Sequence, residues 1–117
     1  MRSLLLAAAA VLSVSASLAA TATYKTVDLD DLKVDKAQMR GQHISVHSTV
    51  QVMGEIAVMK SGLMDMSPVF VDISKLPRDT RKRLLTDCAA GCSMWLGGQV
   101  GSVMMQPGLI AETGTFD

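Results

Sequence analysis

The stretch HISVHSTVQV, residues 43–52, alternates between two kinds of residue. Ile44, Val46, Ser48, Val50 and Val52 take the even places, and His43, Ser45, His47, Thr49 and Gln51 the odd ones. Successive side chains of a strand point to opposite faces. A period of two over ten residues therefore predicts a half-buried β-strand with the even set inward. Met53-Gly54 then reads as a short turn, and EIAVMK, residues 55–60, as a second strand hairpinned to the first. SGLMDMSP is a loop. VFVDIS, residues 69–74, is a third strand with Val69, Val71 and Ile73 on one face.

After residue 75 the period changes to that of a helix. Pro77 stands where helices often begin. Leu76, Thr80, Leu84 and Cys88, with Leu85, fall on one side at helical spacing, and Gly91 ends the run. CSMWLGGQV, residues 92–100, is a fourth strand with Met94 and Leu96 alternating and a bulge or bend at Gly97-Gly98. SVMMQPGLIAET, residues 102–113, reads as a fifth strand bent at Pro107-Gly108. Upstream, residues 20–41 are polar and acidic. They read as an extended lead-in followed by a short helical turn starting near Asp35, with Gly41 closing the segment.

The first 19 residues have the layout of a secretory signal peptide: Arg2, an apolar run from Leu4 to Val14, then Ser17 and Ala19 at the −3 and −1 positions of a cleavage site. The run is too short to span a bilayer, which takes about 20 residues. Cleavage after Ala19, or as far on as Ala22, leaves about 95 to 98 residues, enough for one small domain. Arg2 leaves with the signal, so the remaining basic residues nearly balance the 11 acidic ones. A nearly neutral chain has no global electrostatic reason to seek nucleic acid or an anionic membrane. No other segment is apolar enough to span a membrane. The expected location is periplasmic or secreted, where cysteines meet oxidising conditions.

The element order is strand, strand, strand, helix, strand, strand. In about 75 residues this is the order of an OB-fold, a five-stranded Greek-key barrel with one helix between strands three and four. The organisation expected is a signal peptide at 1–19, a lead-in at 20–41 and a mainly β barrel at 42–114. RGQHISVHSTVQV, FVDISKLP, CSMWLGGQVG and PGLIAE together resemble the small exported bacterial OB-fold proteins over residues 40–112. The resemblance implies a barrel. It carries over no catalytic residue, and fold does not settle function.

TDCAAGCSMWLGG, residues 86–98, holds both cysteines, four positions apart. The spacing matches neither a thioredoxin-type C-x-x-C nor a haem-attaching C-x-x-C-H. A disulfide between Cys88 and Cys92 would pin the helix end to strand four, and a loop this short gains about 2 kcal/mol in chain-entropy terms. The alternative is a periplasmic copper-type metal site or thiol-redox pair using Cys88, Cys92, Met64 and Met66, since thiolates and thioethers suit soft metals. His43 and His47 lie about 13 Å apart along their strand and cannot share an ion. The negative pole of the helix dipole also disfavours a thiolate at Cys88.

Two surface features remain. RDTRKR carries Arg78, Arg81, Lys82 and Arg83, a basic patch read first as a solvated helix face and second as a dock for an acidic partner. Phe70 and Trp95 fall on the face opposite the core of their strands, where they form an apolar spot or lie under residues 24–39, the cover being favoured. OB barrels bind across strands two and three and at the loops joining strands one–two and four–five. That places a ligand face on Glu55 to Lys60, Val69 to Ile73, Met53-Gly54 and Gly97 to Met104, with Lys60, Phe70 and Trp95 as its candidate residues. Aromatics are too few and charge too neutral for nucleic acid. No G-x-S-x-G, H-E-x-x-H or phosphate-cradling loop is present, so no enzyme chemistry and no cofactor are expected. The expectation is a small binding or interaction module for a protein or small ligand.

Overall fold

The computed structural model describes residues 23–54, 56–62 and 64–117. The signal-type segment 1–19 lies outside the described residues. The alternating stretch forms strand β2 (His43–Met53) and buries its even side chains: Ile44, Val46 and Val50 are fully enclosed and Ser48 nearly so. β2 is the strand around which the others are arranged. It pairs antiparallel with β3 (Ile56–Lys60), with Val50 opposite Met59. β3 pairs antiparallel with β4 (Val69–Asp72), and β4 runs parallel to β6 (Gln106–Phe116). β6 pairs antiparallel with β5 (Cys92–Val103), which returns to β2 with Leu96 opposite Val46. Hydrogen bonding thus begins and ends on the same strand.

A sixth strand and a second helix come from the N-terminal segment. The expected count was five strands and one helix. Among the described residues there are six strands in one sheet and two helices. β1 (Lys25–Thr26) lies parallel to β2 at Ile44 and Ser45, on a stretch that β3, confined to residues 49–53 of β2, does not reach. Helix α1 (Leu29–Asp35) follows. The helical turn expected to start near Asp35 is present, closed by the Met39 N–H donating to the Asp35 carbonyl at 3.0 Å, and α1 precedes it. Val27, Leu29 and Leu32 bury their side chains in the main core, and that burial orders a segment whose polarity suggests an extended lead-in. Tyr24 anchors its start by donating a hydrogen bond to Glu112 at 3.0 Å. Burial and that carboxylate raise the Tyr24 pKa.

Helix α2 (Arg78–Asp87) starts after Pro77, as its spacing predicts, and packs Leu84 and Cys88 inward with Leu76. Leu85 was expected on this inward side. It is instead 54% exposed, because one step along a helix turns it about 100° from Leu84. The chain leaves α2 through Gly91 at φ +108, where a Cβ would also meet the Thr49 methyl at 2.9 Å. Gly97-Gly98 marks the register shift between β5 and β6. A Cβ on Gly98 would lie 2.1 Å from the Ile110 carbonyl oxygen, so this close backbone approach admits only glycine.

The fifth-strand expectation is corrected at its start. Ser102 and Val103 belong to β5, and β6 begins at Gln106. Val103 pairs with Gln106, so Met104 and Met105 form a two-residue hairpin loop. Their φ values, 52 and 67, follow the type I′ pattern, which normally takes Asn-Gly or Asp-Gly. Without those residues the turn carries no sequence signal. The loop between the fourth and fifth strands is therefore Met104-Met105, not a segment beginning at Gly97.

Candidate functional site

Strand register assembles an outer face. The odd residues of β2 point outward, and residues directly opposite one another across a ladder share a face. Trp95 stands opposite His47, Lys60 opposite Thr49, Val58 opposite Gln51, and Phe70 opposite Val58. Lys60, Phe70 and Trp95 therefore lie on one side of the sheet, with His47, Thr49, Gln51 and Val58 between them. Val58 is buried at the centre of this face, and Phe70 is half-buried. Trp95 is 40% exposed with its ring 5.2 Å from that of His47. The expected cover by residues 24–39 leaves Trp95 exposed: that segment puts Val27, Leu29 and Leu32 into the core instead. Lys60 donates to the Gln51 amide oxygen at 3.2 Å. Glu55, at one end of the expected face, lies outside the described residues.

His47 is the hub of a polar cluster that sequence order does not suggest. Its Nε2 lies 2.8 Å from the Asp117 carboxylate and 3.2 Å from the Ser93 hydroxyl, and Ser93 also donates to Asp117. These bonds, Ser93 first and His47 second, lower the Asp117 pKa. The residue types are those of a hydrolase triad, but the geometry differs. A triad places serine and carboxylate on opposite ring nitrogens, so that the base can take the serine proton. Here both meet the same nitrogen, and the serine proton goes to the aspartate. The cluster ties the end of β6 to β5 and β2. His43, four residues away, has separate company: the Tyr24 ring at 6.0 Å and Glu112 at 3.9 Å.

Beside this cluster lies a cavity of about 280 Å³. It sits where the wall flanking β2 is incomplete, between the end of β1 and the end of β3. Outer residues His47, Thr49 and Lys60 line it from the sheet, and Asp28 and Asp30 from the start of α1. Ser48, an inward residue, also lines it. Ser48 is buried, and its hydroxyl has no hydrogen-bond partner among the described residues. Asp28 occupies the N-cap position of α1 yet makes no side-chain cap bond. A carboxylate there usually accepts a backbone N–H of the first turn.

Asp65 holds the adjoining loop in place. It accepts from the Ser61 and Ser67 backbone N–H groups, both at 2.9 Å, and pairs with Lys33 of α1. The Lys33 ammonium, with those two N–H groups, holds its carboxyl far below the usual carboxylate range. Met64 and Met66 project from this loop, 88% and 92% exposed.

The basic run on α2 is divided. Arg78, Arg81 and Lys82, with Leu85, share one helix face and line a hollow of about 410 Å³. Arg83 turns away and lies over the Phe116 ring at 4.0 Å, a cation–π contact that helps fasten the end of β6. Of the four basic residues of the sequence reading, Arg78, Arg81 and Lys82 line that hollow, and Arg83 meets Phe116 and shares a second hollow with Lys82. Cys88 and Cys92 are joined in a disulfide with 5.2 Å between their Cα atoms. Sulfurs bonded to each other are not thiolate ligands, and among the described residues no three His, Cys, Asp or Glu side chains gather as a metal set. No described helix is long and apolar enough to cross a membrane.

Sequence reasoning missed Asp28, Ser48, His47, Ser93 and Asp117 as a neighbourhood. The lone inward serine at position 48, among four aliphatic residues, is the one signal that could have pointed there. No protein-family profile matches the chain, and no curated protein matches it. Among solved structures it is similar to the hypothetical protein ygiW from E. coli, at 9% identity and a TM-score of 0.51, over 83% of this chain and 100% of that one. It is also similar to a chain of the structure titled OBody AM1L10 bound to hen egg-white lysozyme, at 15% identity and a TM-score of 0.48, over 68% and 81% of the two chains. At these identities the likeness to ygiW bears on fold alone. It agrees with a small, β-rich, OB-type fold.

Proposed function

We propose that this chain is an exported, non-catalytic binding module built on an OB-type barrel. The ring of pairings β2-β3-β4-β6-β5-β2, with α2 between β4 and β5, supports reading strands β2 to β6 as the five-stranded Greek-key barrel. β1 and α1 are additions to it. The signal-type residues 1–19 and the disulfide support export. The arrangement of Ser93, His47 and Asp117 supports a structural cluster over a hydrolytic one.

The observation that carries the reading is the outer face itself. Trp95, Lys60 and Phe70 share it, and a polar cavity opens beside it. His47 and Lys60 on the cavity wall, with Trp95 packed against His47 beside it, suit recognition of a small molecule or a chain end. A fragment screen read by amide NMR shifts tests this. Binders are expected to move the amides of residues 47–49, 60, 70 and 95 together, and to lose that effect in a Trp95→Ala, Lys60→Ala variant. Binders that perturb residues scattered over the whole surface, or a screen without any binder, would reject the module reading.

A further inference from the structure

The hollow on α2 gathers cations that the fold leaves unpaired. Arg78, Arg81 and Lys82 line it with the exposed Leu85, and steps of three and four residues put them on one helix face. Among the described residues no carboxylate lies within ion-pair distance of the three cations. Asp79 and Asp87 line the neighbouring hollow with Arg83, not this one. The cations do not stabilise their own helix either. Arg78 and Arg81 stand in its first turn, beside the positive pole of the macrodipole, and its last turn has no basic residue. Three like charges around one exposed apolar side chain fit an acidic partner with an apolar centre.

The chain presents that pattern itself. Leu29 and Leu32 of α1 are buried, so the outward face of this helix is Asp30, Asp31, Val34 and Asp35. Val34 is 78% exposed, with Asp30 four and Asp31 three positions before it and Asp35 next to it. Among the described residues none of these three carboxylates is in an ion pair. Within one molecule no ion pair joins the two helix faces, and the apolar centre of each is exposed.

We infer that the α2 hollow seats α1 of a second copy of this chain, with Val34 against Leu85 and the carboxylates around Val34 facing Arg78, Arg81 and Lys82. The inference goes beyond the outer-face reading and stands without it.

Sedimentation equilibrium of the exported chain tests it. One helix face on each side makes a small contact, so a dissociation constant of about 0.1–1 mM is expected at low salt. Raising the salt from about 20 mM to about 500 mM is expected to weaken association about tenfold or more, because ions screen exposed pairs. The paired variants Arg78→Glu, Lys82→Glu and Asp31→Lys, Asp35→Lys change exposed residues only. Each is expected to keep its unfolding midpoint and to be monomeric by itself. An equimolar mixture of the two is expected to associate again, because one then has two acidic faces and the other two basic ones. Val34→Ser, at a position with little burial to lose, is expected to weaken association about fivefold or more. A wild-type chain that stays monomeric up to about 2 mM overturns the inference. So does association that salt, either charge reversal or Val34→Ser leaves unchanged. Loss in the α2 variant alone would put another segment in the hollow, and a monomer that binds a hexaglutamate peptide there would give it to a foreign acidic partner. Both results overturn α1 of a second copy as the occupant.

Discussion

The Met104-Met105 turn stores backbone strain that a substitution should release. Both residues sit at positive φ, 52 and 67, in a two-residue hairpin loop. Left-handed backbone costs an L-residue about 1–2 kcal/mol, so the pair carries about 2–4 kcal/mol. The variant Met104→Asn, Met105→Gly installs the residues this turn prefers. Glycine removes the penalty at 105 but returns about 0.5–1 kcal/mol through its freer unfolded chain. Asparagine recovers part of the penalty at 104. Little apolar burial is lost, because Met105 is 99% and Met104 56% exposed. The second loss is less than half of a buried methionine, about 1 kcal/mol. The balance favours the variant by about 1 kcal/mol, which raises the melting temperature of a domain this size by about 4–8 °C. Urea and thermal unfolding measure it. A variant less stable than the parent would refute the reasoning, and would mean that the two thioethers hold contacts worth more than the strain.

Replacing both Cys88 and Cys92 with serine should cost about 2 kcal/mol by the loop-closure relation, read as a lower urea midpoint with the β-type circular dichroism retained. Gly98→Ala forces a Cβ against the Ile110 carbonyl and should cost about 3 kcal/mol, visible as loss of the β5–β6 pairing in amide exchange. Leu32→Ala empties a fully buried position and should cost about 2–5 kcal/mol, detaching α1 and thereby opening the cavity beside it. Asp65→Asn should show its effect through pH. The folded carboxyl is held below its unfolded value, so the unfolded chain binds more protons as pH falls, and the wild-type advantage is complete above about pH 4 and fades below it. A difference in unfolding midpoint between the two proteins that persists unchanged at about pH 2.5 would contradict that assignment.

The sequence by itself determined what depends on neighbours along the chain. The alternation from His43 to Val52 set the buried face of β2, because side-chain direction in a strand has a fixed period. The switch of period after Pro77 placed α2, and Gly91 ended it, since only glycine adopts that φ without strain. The Cys88–Cys92 spacing was compatible with a staple between a helix end and a strand start, and those are the places the two residues occupy.

What only the tertiary structure decided depends on partners far apart in sequence. Residues 25–35 looked like a polar lead-in because their burial comes from docking Val27, Leu29 and Leu32 on the sheet, and from the edge of β2 that β3 leaves uncovered. The Met104-Met105 turn is held by the strands that flank it against the preference of its own residues. The cavity is the extreme case. Asp28, Ser48 and Lys60 come from three elements, and none is unusual as a residue type. They line one cavity only because β1 and β3 each cover part of the same edge of β2, leaving residues 46–48 without a partner strand there.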